Sequence, residues 1–211
     1  LGLPYRVVGG LRFYERQEVR DALAYLRVIS QSADDLALER IINLPRRGIG
    51  DTTIQSLYAH ARAQGISLYD SARQMSETNA IRGKARESLQ KLIADFERWR
   101  GLLAQDNTQH APIAAMILDE SGYLAMWQAE KTPDAAGRVE NLKELVAGMQ
   151  EFDTLSAFLE HVALVLETAE EQTGGQVSIM TLHGAKGLEF DAVVLAGWEE
   201  GLFPSQKTMD E

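Results

Sequence analysis

None of the 211 residues is a cysteine, so the chain forms neither a disulfide framework nor a thiolate zinc site, and a reducing cytoplasm is the expected compartment. The four histidines, His60, His110, His161 and His183, are scattered without metal-ligand spacing, and no bound metal is expected. No apolar run reaches the roughly 20 residues that cross a bilayer, and no secretory leader is seen, so no membrane partner is expected. Basic residues are outnumbered: 21 Lys and Arg against 31 Asp and Glu give a net charge of −10, at first sight an argument against a polyanionic partner. Internal repeats and low-complexity tracts are missing, and so is the phosphate-cradling spacing G-x-x-x-x-G-K-[ST].

Hydrophobic residues make up 45% of the chain, enough to bury one sizeable core or two small ones. The charge is also uneven. Residues 1–50 hold eight Lys and Arg against six Asp and Glu, so a local anion site remains possible within an acidic whole.

Leu3–Val8 is a strand candidate stopped by Gly9-Gly10, followed by a helix whose Val19, Ala22, Leu23 and Leu26 recur at helical spacing. A second helix is expected from about Leu36 to Leu44, ended by Pro45. Arg46-Arg47-Gly48-Ile49-Gly50 comes next, then Asp51-Thr52-Thr53 and a helix with Ile54, Leu57, Tyr58 and Ala61 on one face; Thr52 and Gln55 predict a capping box. Two glycines with bare amides, a helix N-terminus and two arginines form a place for an anion, and a DNA phosphate is the natural guest. The plain alternative is an ordinary αα-turn with a C′ glycine.

Helices then follow one another to about Thr168. Leu89, Leu92, Ile93, Phe96, Trp99 and Leu103 form one apolar stripe; Pro112 opens a helix that closes near Gly122; Val139 to Met149 and Leu155 to Leu166 mark two more, all expected as core. Glu167–Gln176 predicts a flexible return.

Val177–Thr181 and Asp191–Gly197 are nearly free of charge and predict strands buried on both faces. The turn between them, Gly184-Ala185-Lys186-Gly187, is delivered to a strand end, where open α/β sheets place ligands. Its glycines let backbone amides approach a ligand, Lys186 adds positive charge and Glu189 an acceptor, which suits phosphates and a sugar hydroxyl. A routine βαβ connection has the same makeup.

The string TLHGAKGLEF, Thr181 to Phe190, with Gly201-Leu202-Phe203-Pro204 behind it, closely resembles motif V of the UvrD/PcrA/Rep family of superfamily 1 DNA helicases. GGLRFYERQEVRDALAYLR, Gly9 to Arg27, resembles that family's motif IVa, and the Gly-Ile-Gly turn resembles its helix-hairpin-helix-like grip on duplex DNA. The family often carries Ser where this chain has Gly184. The resemblance implies that Thr181, His183 and Arg12 face single-stranded DNA, that Lys186, Gly187 and Glu189 line the nucleotide cleft, and that Arg46, Arg47, Gly48, Ile49, Gly50, Thr52 and Thr53 hold the duplex.

It also implies an α/β, mostly helical fold: a small, partial RecA-like parallel sheet (2A, residues 1–33 and 176–211) with a large all-α insertion (2B, residues 34–175). ATP and Mg²⁺ are expected in the full-length protein and none bound to this stretch, which lacks the Walker A and Walker B elements and should not hydrolyse ATP alone. The expected partners are single-stranded DNA and the duplex junction, with repair proteins as further candidates, in a bacterial cytoplasm at the nucleoid. The parent would be an ATP-dependent 3′→5′ DNA helicase of repair or replication. The competing expectation is a non-enzymatic module that binds DNA junctions or recruits proteins.

Overall fold

The computed structural model describes residues 5–8, 13–171, 177–180, 185 and 188–196. Helix α1 (Gln17–Ser30) buries Val19, Ala22, Leu23 and Leu26 as their spacing predicts, and also Ala24, Tyr25, Val28 and Ile29. An apolar surface that wide wraps most of the helix, so α1 is a core helix with neighbours on several sides. It packs against α2 (Asp35–Ile41), α5 (Gly83–Gln105), α6 (His110–Glu120), α8 (Ala135–Met149) and α9 (Leu155–Glu171). Helices α3 (Asp51–Gln64) and α4 (Leu68–Glu77) pack on each other, and α7 (Tyr123–Ala129) lies on α6 and α8.

Local chemistry fixes the helix ends. Asp34 Oδ1 accepts the Ala37 amide at 3.0 Å and starts α2; Ser67 Oγ accepts the Asp70 amide at 3.1 Å and starts α4. Gly65, left-handed at φ +64°, stops α3 while the Ile66 amide reaches back to the Ala61 carbonyl at 3.1 Å. Pro112 sits inside the first turn of α6, where a missing amide costs little.

The predicted stripe on α5 is core: Leu89, Leu92, Ile93, Phe96 and Trp99 are buried and Leu103 half-buried. Phe96 meets Trp99 edge-on with centroids 5.5 Å apart, and Tyr69 and Tyr25 at 6.1 and 6.2 Å. Each such side chain contributes about 1.5–3 kcal/mol by leaving water, and an edge-on pair about 0.5–1.5 kcal/mol more. The indole N–H of Trp99 is satisfied by Glu120 Oε2 at 2.7 Å.

Strand β1 (Tyr5–Val8) pairs in parallel with β2 (Val177–Met180), Tyr5 opposite Val177 and Val8 opposite Met180. The two ends of the chain therefore share a sheet, as expected. By contact the chain divides into Leu1–Gly9 with Gly175–Glu211 and, separately, Gly10–Gly174. The first division falls a helix earlier than residue 33, because α1 packs with the helices that follow it.

Four local expectations are corrected. The strand predicted at Asp191–Gly197 is absent among the described residues 191–196, where Val193 and Val194 are exposed, 65% and 92%. Nor is β2 covered on both faces: Val177 and Ile179 are half exposed, since the described sheet has two strands and each is an edge. The capping box fails because α3 begins at Asp51, with Gly50 in the cap position and no side-chain cap. Thr52 is thus already helical and its hydroxyl cannot fold back to the first amides. Glu167–Glu171 belong to α9 rather than to a flexible return, the helical period of Leu155–Leu166 simply continuing into good helix formers; the rest of that return lies outside the described residues.

Candidate nucleic-acid interface

The turn from α2 to α3 is built from Asn43 to Gly50. After α2, the Ile42 amide bonds to the Leu38 carbonyl at 2.8 Å and the Leu44 amide to the Ile41 carbonyl at 3.0 Å, winding down the helix. Asn43 Oδ1 then accepts the amides of Arg47 (2.8 Å) and Ile49 (3.2 Å), so one side chain gathers the whole turn. Gly48 has φ +77°, a region that costs residues with a Cβ about 1–2 kcal/mol. A Cβ there would lie 3.8 Å from Lys84 Cδ, ordinary contact, so conformation rather than room selects glycine.

Gly50 is different. Its backbone is extended (φ −85°, ψ 175°) and nothing lies within 4 Å of where a Cβ would stand. The amides of Thr53 and Ile54 turn to the Gly50 carbonyl at 2.9 and 3.1 Å, and no side chain caps the helix. A 14-residue helix therefore presents its positive end, with the amides of Asp51 and Thr52 uncapped, beside an open glycine. Thr52 is exposed and Thr53 half-buried at the same end; exposed Asp51 already answers part of the dipole.

The two arginines do different things. Arg46 is exposed and forms no ion pair among the described residues. Arg47, expected beside it on the phosphate, turns inward: Nη1 donates to the carbonyls of Ile41 and Leu44 at 2.8 and 2.7 Å, and Nη2 to Tyr25 Oη at 2.6 Å. Ile49, expected to touch DNA, has its side chain fully buried, because the turn rolls it into the core while its glycine neighbours stay outside. Lys84, at the start of α5, carries no signal in the sequence: it is exposed and its stem runs alongside Gly48. Only the fold brings it there. A cleft of about 290 Å³ beside the turn is lined by Arg46, Arg47, Lys91 and Glu120. Lys91 is held by Asp95 at 2.7 Å, and Glu120 lies well below the usual carboxylate range because Arg98, then Trp99, hydrogen-bond to it.

Residues 1–211 match the UvrD-like helicase C-terminal domain. The chain belongs to this family. It is similar to DNA helicase II of Rickettsia typhi (46% identical over 211 residues) and of Escherichia coli (39% over 222), and to the ATP-dependent DNA helicase UvrD1 of Mycobacterium bovis (36% over 233). These alignments cover 99% of the chain but 32%, 30% and 30% of the relatives, so it spans about a third of their length.

Of the other residues singled out in this UvrD-like domain, Arg12, Thr181, His183, Lys186 and Gly187 lie outside the described residues. Glu189 is exposed, just after a turn in which the Leu188 amide donates to the Ala185 carbonyl at 3.0 Å. Among the described residues no three His, Asp or Glu side chains gather as a metal site, and no helix is long and apolar enough to cross a membrane. A larger cleft of about 720 Å³ between α1, α2 and α9 is lined by Arg20, Arg27, Arg40, Leu23, Ala37 and Val162, among others; Arg27 pairs with Asp34 at 2.7 Å and Arg40 with Asp21 at 2.5 Å.

Proposed function

We propose that this chain is the duplex-holding and coupling part of an ATP-dependent 3′→5′ DNA helicase, and that the α2–α3 turn seats on duplex phosphates as a helix-hairpin-helix-like element. The observation that carries the reading is the uncapped N-terminus of α3, flanked by the open Gly50, exposed Arg46 and the neighbouring Lys84. Bare glycine backbone lets the sugar-phosphate chain come close, the amides of Asp51 and Thr52 donate to its oxygens, and the Thr52 and Thr53 hydroxyls stand at the same end. Such contacts fix orientation without reading sequence, which suits a motor that must travel over any DNA.

The remaining roles follow the resemblance. Arg12, Thr181 and His183 face the single strand, and Lys186, Gly187 and Glu189 line the nucleotide cleft of the complete protein. There, ATP with Mg²⁺ supplies the work that moves the strand, in the cytoplasm, at the chromosome, alongside repair proteins. The parallel pairing of β1 with β2 supports an insertion between two parts of one sheet domain, with α1 on the inserted side.

The reading is tested by anisotropy titration of a labelled duplex across a salt series. Arg46→Ala should weaken binding and flatten the slope of log K against log salt by about 0.9, one phosphate's worth. An unchanged titration rejects it.

A further inference from the structure

Arg46 and Arg47 are adjacent, yet their environments are opposite. Nη1 of Arg47 meets the carbonyls of Ile41 (2.8 Å), Leu44 (2.7 Å) and Ile42 (3.4 Å), at and just past the end of α2, where helix carbonyls lack intrahelical partners. A cation there also meets the negative end of the helix dipole. Nη2 meets Tyr25 Oη on α1 at 2.6 Å and the Ser121 carbonyl, in the corner between α6 and α7, at 3.2 Å. Tyr25, itself fully buried, donates its hydroxyl to the Leu44 carbonyl, and its ring lies 5.9 Å from the guanidinium carbon. One planar fork thus joins α1, α2 and the α6–α7 corner to the turn.

We propose that Arg47 is the positioning residue of the duplex site: it locks the α2–α3 turn so that Arg46 and the α3 amides face the phosphate, and it does not touch DNA. This rests on the duplex reading above. A guanidinium with both terminal nitrogens bound to protein has little left for a phosphate, whereas a lysine could supply the charge but not the fork.

The test compares Arg46→Ala, Arg47→Lys, Arg47→Ala and Tyr25→Phe in the whole chain, at a temperature where far-ultraviolet circular dichroism shows each variant folded. Readouts are duplex affinity across salt and hydrogen exchange of the Ile49 amide, which the turn holds to Asn43. Arg47→Lys, though it keeps the charge, should weaken duplex binding about tenfold and speed Ile49 exchange, and Tyr25→Phe should move both the same way by less. Arg47→Lys binding like the unaltered chain, with Arg47→Ala lowering the salt slope, would make Arg47 a phosphate ligand and overturn the proposal. Should Arg46→Ala leave binding unchanged, the duplex reading fails on its own. Ile49 exchange then decides whether Arg47 positions the turn: faster in Arg47→Lys supports it, unaltered overturns it. If Arg47→Ala unfolds, the lysine and phenylalanine variants carry the comparison.

Discussion

Glu18 Oε2 lies 3.2 Å from Arg138 Nη1, tying the start of α1 to α8 with a carboxylate whose side chain is 4% exposed. Glu18 Oε1 accepts from Asn141 Nδ2 at 2.6 Å, and the guanidinium covers the Trp127 ring at 4.5 Å. The pair is satisfied from both sides, which is what makes a buried charge tolerable. Removing one partner strands the other. Arg138→Met is expected to cost about 3–5 kcal/mol, and adding Glu18→Gln should recover part of it. Urea unfolding of the two single variants and the double variant measures the coupling; additive losses would mean that the pair is not energetically joined.

Gly50 offers a way to separate stability from binding. Aspartate is at least as good a helix cap as glycine, the extended backbone accepts any residue, and no atom stands in the way. Gly50→Asp should therefore leave the melting temperature unchanged or slightly raised, while its carboxylate takes the anion's place on the α3 amides and repels the duplex. Thermal melts and duplex titrations on the same sample check both. Full binding by a stable Gly50→Asp variant would exclude those amides.

Lys84 yields a third prediction. Its stem passes Gly48, and as an exposed cation it should add one phosphate contact next to that of Arg46. Lys84→Ala is expected to lower the salt slope by about 0.9, and the Arg46→Ala, Lys84→Ala pair by about twice that. A slope that Lys84→Ala leaves alone places its ammonium away from the DNA.

Alkaline pH should weaken the helical unit. Burial, then hydrogen bonding to Glu39 (2.6 Å), pushes the Tyr58 hydroxyl up to about 12; burial, then donation to Glu97 (2.8 Å), raises Tyr69 to about 12. The folded state holds these protons more tightly than the unfolded chain, whose tyrosines titrate near 10. Their contribution is complete below pH 10 and disappears as pH rises through about 12. Denaturant midpoints between pH 9 and 12 should fall, less steeply in Tyr58→Phe and Tyr69→Phe. A flat profile in the unaltered chain refutes the assignment.

Much of the helical unit was legible in the sequence. Leu89 to Trp99 announce their own helix and buried face, because residues three and four apart must share a side. The tight turn built on Gly48 and Gly50 was legible for a similarly local reason, though not which glycine turns left-handed, and the likeness of β1 and β2 to strands at the two ends of one sheet held. Glu18 and Asp21 were not. On a helix with a polar face they should be solvated, yet Arg138 from α8 and Arg40 from the neighbouring α2 pair with them where the core packs. The strand predicted at Asp191–Gly197 failed in the same way: apolar residues and low charge describe what a strand needs, but pairing requires a neighbour in register.

The sequence alone determined the apolar faces of the longer helices, that the chain's two ends meet in a sheet, and which family it joins. Tertiary structure alone decided that Arg46 faces water while Arg47 holds the turn, that Ile49 is core, and that Lys84 stands beside Gly48. Helical period and turn conformation are set within four or five residues of chain. What a side chain touches depends on segments tens of residues away, and those distances close only when the core packs.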